Sequence, residues 1–187
     1  GLARVTPGGM VLDPRQAPQP REWEDSFSRN ARSVTAPRGE RSAWQLRGLR
    51  LPRSHPKVIT GVMPTDKLLA LARERKTTLN SLLSALILRA LLLRRAQSAR
   101  GRAKPVKLSL PVNLRRFYGS ETLRNFSFYV NVPVDAAFEK ADLDELVAYV
   151  SNYMALHTME GMLNARFSAN VRAERHPLLR AAPLFLK

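Results

Sequence analysis

Apolar and polar positions alternate in two short runs near the middle of the chain. In VKLSLPV, Val106, Leu108, Leu110 and Val112 alternate with Lys107, Ser109 and Pro111; in FSFYVNVPV, Phe126, Phe128, Val130, Val132 and Val134 alternate with Ser127, Tyr129, Asn131 and Pro133. A period of two belongs to a strand with one apolar and one polar face. The pattern predicts two strands whose apolar faces are covered by helices, leaving Ser127, Tyr129 and Asn131 on the other side. Elsewhere the period lengthens. Pro64 and Thr65 begin a helix, with Thr65 able to cap, Asp66 in its first turn, and Leu68, Leu69, Leu71 and Ala72 at helical spacing up to Arg75. A second helix starts near Thr78, with Leu79, Leu82, Leu83, Leu86, Ala90 and Leu93 on one stripe that Ile87 and Leu91 widen. A stripe that wide predicts a mostly buried helix. A third follows the cap Asp142, with Leu143, Leu146, Val147, Val150, Met154 and Leu156 on its apolar face and Gly161 as the point where it bends or ends. KVITGVM, from Lys57, is a short β-branched run of strand type; REWEDSFSRNA, from Arg21, reads as a short helix; and Pro177 opens a last apolar stretch.

Seven prolines between Pro7 and Pro56 deny residues 1–56 a long helix or an interior strand, so they read as a loose lead-in to an α/β unit spanning 57–187. With 187 residues, 44% hydrophobic and 25% charged, the chain has the composition of one globular domain or a large piece of a bigger one. Charge changes the picture more: 31 Lys and Arg against 15 Asp and Glu give a formal net charge of +16. Such a surface attracts anions of many kinds. The arginines are scattered, with no run of five or six, which argues against a dedicated nucleic-acid surface. The absence of cysteine excludes disulfides and thiolate metal sites. No signal-peptide pattern opens the chain, and LNSLLSALILRALLLRR, interrupted by Arg89, falls short of the roughly 20 apolar residues of a membrane span. A cytoplasmic location is the expectation.

Local chemistry is sparse. His55, His157 and His176 lie in separate stretches with no second histidine at helical spacing, which gives no metal motif. Glu22, Glu24 and Asp25 cluster in the lead-in, whereas Asp142, Asp144 and Glu145 begin a helix, where acidic residues belong for dipole reasons alone. No phosphate loop, dinucleotide fingerprint or nucleophile elbow occurs.

TTLNSLLSALILRALL followed by VKLSLPVNLRRFYGSETLRNFSFYVNVPV resembles the second half of the chloramphenicol acetyltransferase-like superfamily, which includes condensation domains and alcohol acetyltransferase-like proteins. Tyr129, Val130, Asn131 and Val132 stand where condensation domains carry a Phe-Val-Asn-Thr motif, and ERHPLLRAAPLFLK is similar to the stretch that precedes the family's last strands. The resemblance implies one half of a two-layer α/β fold, a mixed sheet with helices on one face, with residues 1–56 crossing between halves. It implies acyl transfer from a thioester, on coenzyme A or an acyl carrier protein, to an alcohol or amine, with no covalently bound cofactor.

The family's base lies in His-His-x-x-x-Asp-Gly on the first half. Here Ile59, Gly161 and Arg180 stand four residues after the three histidines, so the motif is missing and no catalytic residue is expected. The expected partners are a first half carrying that motif, the small-molecule donor and acceptor, and a second copy through exposed interface surface. By the resemblance Asn131 contacts the tunnel; Tyr129 and Ser127 join it by facing away from the apolar side, and Asn113 and Arg115 by standing at a strand end. The alternative reading is a non-catalytic basic module for nucleic acid or another anionic partner.

Overall fold

A computed structural model describes residues 17–32, 39–48, 52, 57–97, 104–177 and 181. The two alternating runs become β1 (Val106–Asn113) and β2 (Ser127–Val134), paired antiparallel from Val106 opposite Val134 to Asn113 opposite Ser127. This register puts Val106, Leu110 and Val112 on one face with Val130, Val132 and Val134, all buried. The chain is α/β: six α-helices accompany the sheet among the described residues. They are α1 (Ser26–Asn30), α2 (Thr65–Glu74), α3 (Leu79–Ala96), α4 (Arg115–Tyr118), α5 (Leu143–His157) and α6 (Glu160–Arg175).

Helices cover the apolar face in two clusters. Leu82, Ala85, Leu88 and Leu92 of α3 and Leu146, Val147 and Val150 of α5 pack with Val106, Leu110, Val132 and Val134. Leu163, Phe167 and Val171 of α6 pack with Val112, Leu114, Phe126 and Val130 at the other end of the sheet. Tyr153 and Met154 of α5 touch both clusters, so one helix joins the two ends of the core. Phe27, Phe126 and Phe167 meet edge to face, at centroid distances of 4.9 Å for Phe27–Phe126 and 5.7 Å for Phe27–Phe167. Each such pair adds about 0.5–1.5 kcal/mol beyond its burial.

Several elements depart from the sequence expectation. Residues 57–63 form no ladder in the structure, and Val58, Ile59 and Val62 are exposed; a β-branched run becomes a strand only where a neighbour supplies hydrogen bonds. In α3 the buried face is Leu82, Ala85, Leu88, Leu92 and Arg95 with Ser81 and Ser84, whereas Leu86, Ile87 and Leu93 of the expected stripe are exposed. Thr78 caps α3 by accepting from Ser81 N. Thr65 begins α2 without capping it, Pro64 being the residue before the first turn. Asp142 caps α5 in a reciprocal capping box with Glu145. That helix ends at His157, and Gly161 lies inside the first turn of α6. The break falls at Thr158, whose hydroxyl donates to Met154 O at 2.7 Å.

Within residues 1–56, the stretch 22–32 is docked on the rest of the fold. Ser26 and Ser120, both buried, share a hydrogen bond of 2.6 Å, and Thr122 Oγ1 donates to Glu22 O and Glu24 O. Phe27 of α1 enters the aromatic cluster, and Arg32 N donates to Ser168 Oγ on α6.

Candidate polar wall and end cleft

The polar face of the sheet is built around Asn131. Strand alternation points its side chain away from the helices, and the antiparallel register sets Ser109 opposite it. Ser109 Oγ donates to Asn131 Oδ1 at 2.6 Å, and Asn131 Nδ2 donates to Glu40 Oε2 at 2.8 Å. Lys107 Nζ donates to the same Glu40 oxygen at 2.9 Å, while Arg166 of α6 pairs with Glu40 Oε1 at 3.8 Å. Residue 40 thus lies on the polar face, and Arg166, from a helix on the apolar side, reaches it past β2. Burial pushes the Glu40 carboxyl up, but hydrogen bonds from Lys107 and Asn131 and the charges of Lys107 and Arg166 outweigh it and hold the group below the usual carboxylate range.

Arg166 also donates to His157 Nδ1 at 3.1 Å. A guanidinium has no acceptor, so His157 Nδ1 must carry the lone pair and the ring proton resides on Nε2. Burial, helped by the Arg166 charge and opposed by Glu40, pushes this histidine down. His157 is therefore a neutral imidazole with its basic nitrogen occupied, its ring tilted by 31° over Tyr153 with centroids 3.9 Å apart. Neither it nor Ser109, whose hydroxyl donates to Asn131, forms a nucleophile–base pair. Among the described residues there is also no group of three or more side chains suited to a metal ion.

The five residues singled out in the sequence fall into three places. Asn131 and Tyr129 line a concavity of about 340 Å³ with Glu40, Phe128 and Arg166. Tyr129 is half exposed and stacks on Phe128. Ser127 is exposed at the start of β2. Asn113, at the end of β1, borders a cleft of about 750 Å³ between the start of α3, α4 and the C-terminal part of α5. Its Oδ1 accepts from Arg115 N at 3.1 Å. Arg115 stays beside it: its Nη1 donates to the same Asn113 oxygen at 3.4 Å, while its Nε donates to Thr122 O at 2.8 Å and its Nη2 to Arg124 O at 2.5 Å, tying the loop between the strands. The sequence missed Glu40 and Arg166, and set His157 aside for want of a metal motif. Lys107 and Ser109 share the parity of Asn131 in the alternating runs, and that was the signal available for them.

Among the described residues, six helices and a two-stranded antiparallel sheet with a hydrogen-bonded polar face are compatible with half of an acyltransferase-like fold. Residues 62–119 match the family described as phthiocerol/phthiodiolone dimycocerosyl transferase C-terminus. That stretch covers α2, α3, β1 and α4, and it includes Asn113 and Arg115 but neither Tyr129 nor Asn131. No curated protein sequence and no solved structure matches the chain. Among the described residues no single helix is long and apolar enough to cross a membrane.

Proposed function

We propose that this chain supplies the non-catalytic wall of an acyltransferase, acting with a half that carries His-His-x-x-x-Asp-Gly. There a histidine takes the proton of an alcohol or amine, and the freed oxygen or nitrogen attacks the thioester carbonyl of acyl-coenzyme A or an acyl carrier protein. The carbonyl carbon gains a bond to the acceptor and loses its bond to sulfur, which leaves as thiol. The match of residues 62–119 to the C-terminus of a transferase named for moving a mycocerosyl group is the observation that carries this reading. It is supported by the polar wall, where Asn131 is fixed by Ser109 and Glu40 while Tyr129 stands half exposed beside it.

Here Asn131 and Tyr129 shape the acyl path and set its chain-length preference, and the chain contributes no proton-transfer group. The test is acyl-coenzyme A competition in the protein carrying both halves. Tyr129→Ala, which opens the wall, should move the preference among acyl lengths by about tenfold in kcat/KM, the effect of one or two methylenes of fit. Asn131→Ala should loosen the wall and weaken discrimination in the same assay. Unchanged preferences in both variants would remove these residues from the acyl path, and failure of the protein to process any thioester would overturn the acyltransferase reading.

A further inference from the structure

On the polar face the cations are largely buried and the acid they hold is not. Lys107 and Arg166 keep only 13% and 15% of their side chains exposed, whereas Glu40, which both engage, keeps 41%. The surface pairs Arg21–Glu121, Arg32–Glu160 and Arg41–Asp135 instead leave about half or more of both side chains exposed. The donors also belong to the body of the fold and the acceptor does not. Lys107 lies on β1, Asn131 on β2 and Arg166 on α6, while Glu40 comes from residues 39–48, which form neither helix nor strand. Lys107 Nζ and Asn131 Nδ2 converge on one carboxylate oxygen, at 2.9 Å and 2.8 Å from Glu40 Oε2. Arg166 is not satisfied by that carboxylate: its Nη1 stands 3.8 Å from Oε1, beyond hydrogen-bond distance, while His157 Nδ1 holds its Nη2. Beside the carboxylate opens the concavity of about 340 Å³, whose wall includes the stacked rings of Phe128 and Tyr129, 5.0 Å apart.

We propose that Lys107, Asn131 and Arg166 form a binding site for the carboxylate of a small molecule with an apolar body, and that Glu40 fills this site from within as an internal competitor. A ligand carboxylate in the place of Glu40 keeps the hydrogen bonds from Lys107 and Asn131 and is free to close the gap to Arg166. Its body lies in the concavity against Phe128 and Tyr129, a space that suits a small molecule. With Glu40 withdrawn, two largely buried cations are left unbalanced, and that imbalance draws in an external anion. Because Glu40 is tethered, it competes at a high effective concentration, so the ligand binds the parent chain more weakly than the empty site allows. The site stands on this geometry and holds whether or not the chain serves acyl transfer.

Titration calorimetry and thermal melting of the 187-residue chain at constant ionic strength, with hexanoate, acetate and the neutral isostere hexanamide, test the site. Glu40→Ala should melt below the parent chain and regain melting temperature saturably with hexanoate, less with acetate and not with hexanamide. It should bind hexanoate about tenfold more tightly than the parent, since the internal competitor is gone. Lys107→Met in the Glu40→Ala background keeps the aliphatic stem, removes a charge-assisted contact and should abolish the gain, whereas Lys67→Met on α2, an exposed position, should preserve it. If Glu40→Ala does not fold, Glu40→Gln, which keeps the volume and loses the charge, carries the same comparison. Hexanoate binding no tighter in the Glu40 variant than in the parent would leave Glu40 a structural ion pair and overturn the proposal. So would a gain that survives Lys107→Met, one that hexanamide reproduces, or one that Lys67→Met removes equally, which would reduce the effect to net charge.

Discussion

At the scale of single residues the polar wall is an electrostatic balance that acid can upset. Arg166 holds two acceptors, Glu40 and His157 Nδ1, and both interactions depend on a free lone pair. His157 is pushed down from 6.5 by burial first and by Arg166 second. The folded state therefore takes up its proton less readily than the unfolded chain, and the contribution of neutral His157 to stability is complete above 6.5 and lost as pH falls through the lowered folded value. Glu40 adds a second loss below its ordinary 4.5, because its folded value is lowered too. Urea unfolding midpoints should fall as pH drops below 6.5 in the parent chain and fall less in His157→Gln, which keeps an acceptor for Arg166 but cannot titrate. Parallel curves for the two proteins would contradict the assignment. Asn131, Ser109 and Lys107 were legible as one polar face because alternation is a local property. Glu40 and His157 were not, since nothing near either in sequence says that Arg166 will lie between them.

At the scale of elements, the strands were the most legible because each carries its own period. α3 was legible as a helix and misread as a surface. Leucines occupy nearly all its sides, so hydrophobicity alone cannot choose a face, and the face chosen by packing contains Ser81, Ser84 and Arg95. Arg95 is fully buried because Glu139 Oε1 accepts from its Nη2 at 3.0 Å and Lys104 O accepts from its Nη1 at 3.1 Å. Such partners, far from α3 in its own pattern, are invisible to a helical wheel. Leu88→Ala, at a site with no exposure and between two helices and the sheet, should cost about 3 kcal/mol. Leu86→Gln, on the exposed side, should change stability by no more than about 0.5 kcal/mol. Chemical denaturation of the two variants checks this, and the opposite order would restore the stripe read from the sequence.

On the scale of the whole molecule, the helices lie on one side of the sheet and a wall of polar groups faces the other. The chain carries 31 basic residues against 15 acidic ones. The described ion pairs Arg21–Glu121, Arg32–Glu160, Arg41–Asp135 and Arg75–Asp144 join different elements around the fold rather than lining one strip. The α/β class and the second-half resemblance were legible from the order of a buried helix, a strand, an arginine-bearing loop and a second strand. The docking of residues 17–32 was not, because the contacts that hold it join residues roughly a hundred positions apart, such as Ser26 and Ser120. The most direct test of the central claim is thiol release from acyl-coenzyme A in the presence of a primary alcohol, measured side by side for this chain and for the protein that carries both halves. Release only when the histidine-bearing half is present is the expected result; release by the 187-residue chain alone, or by neither, would contradict it.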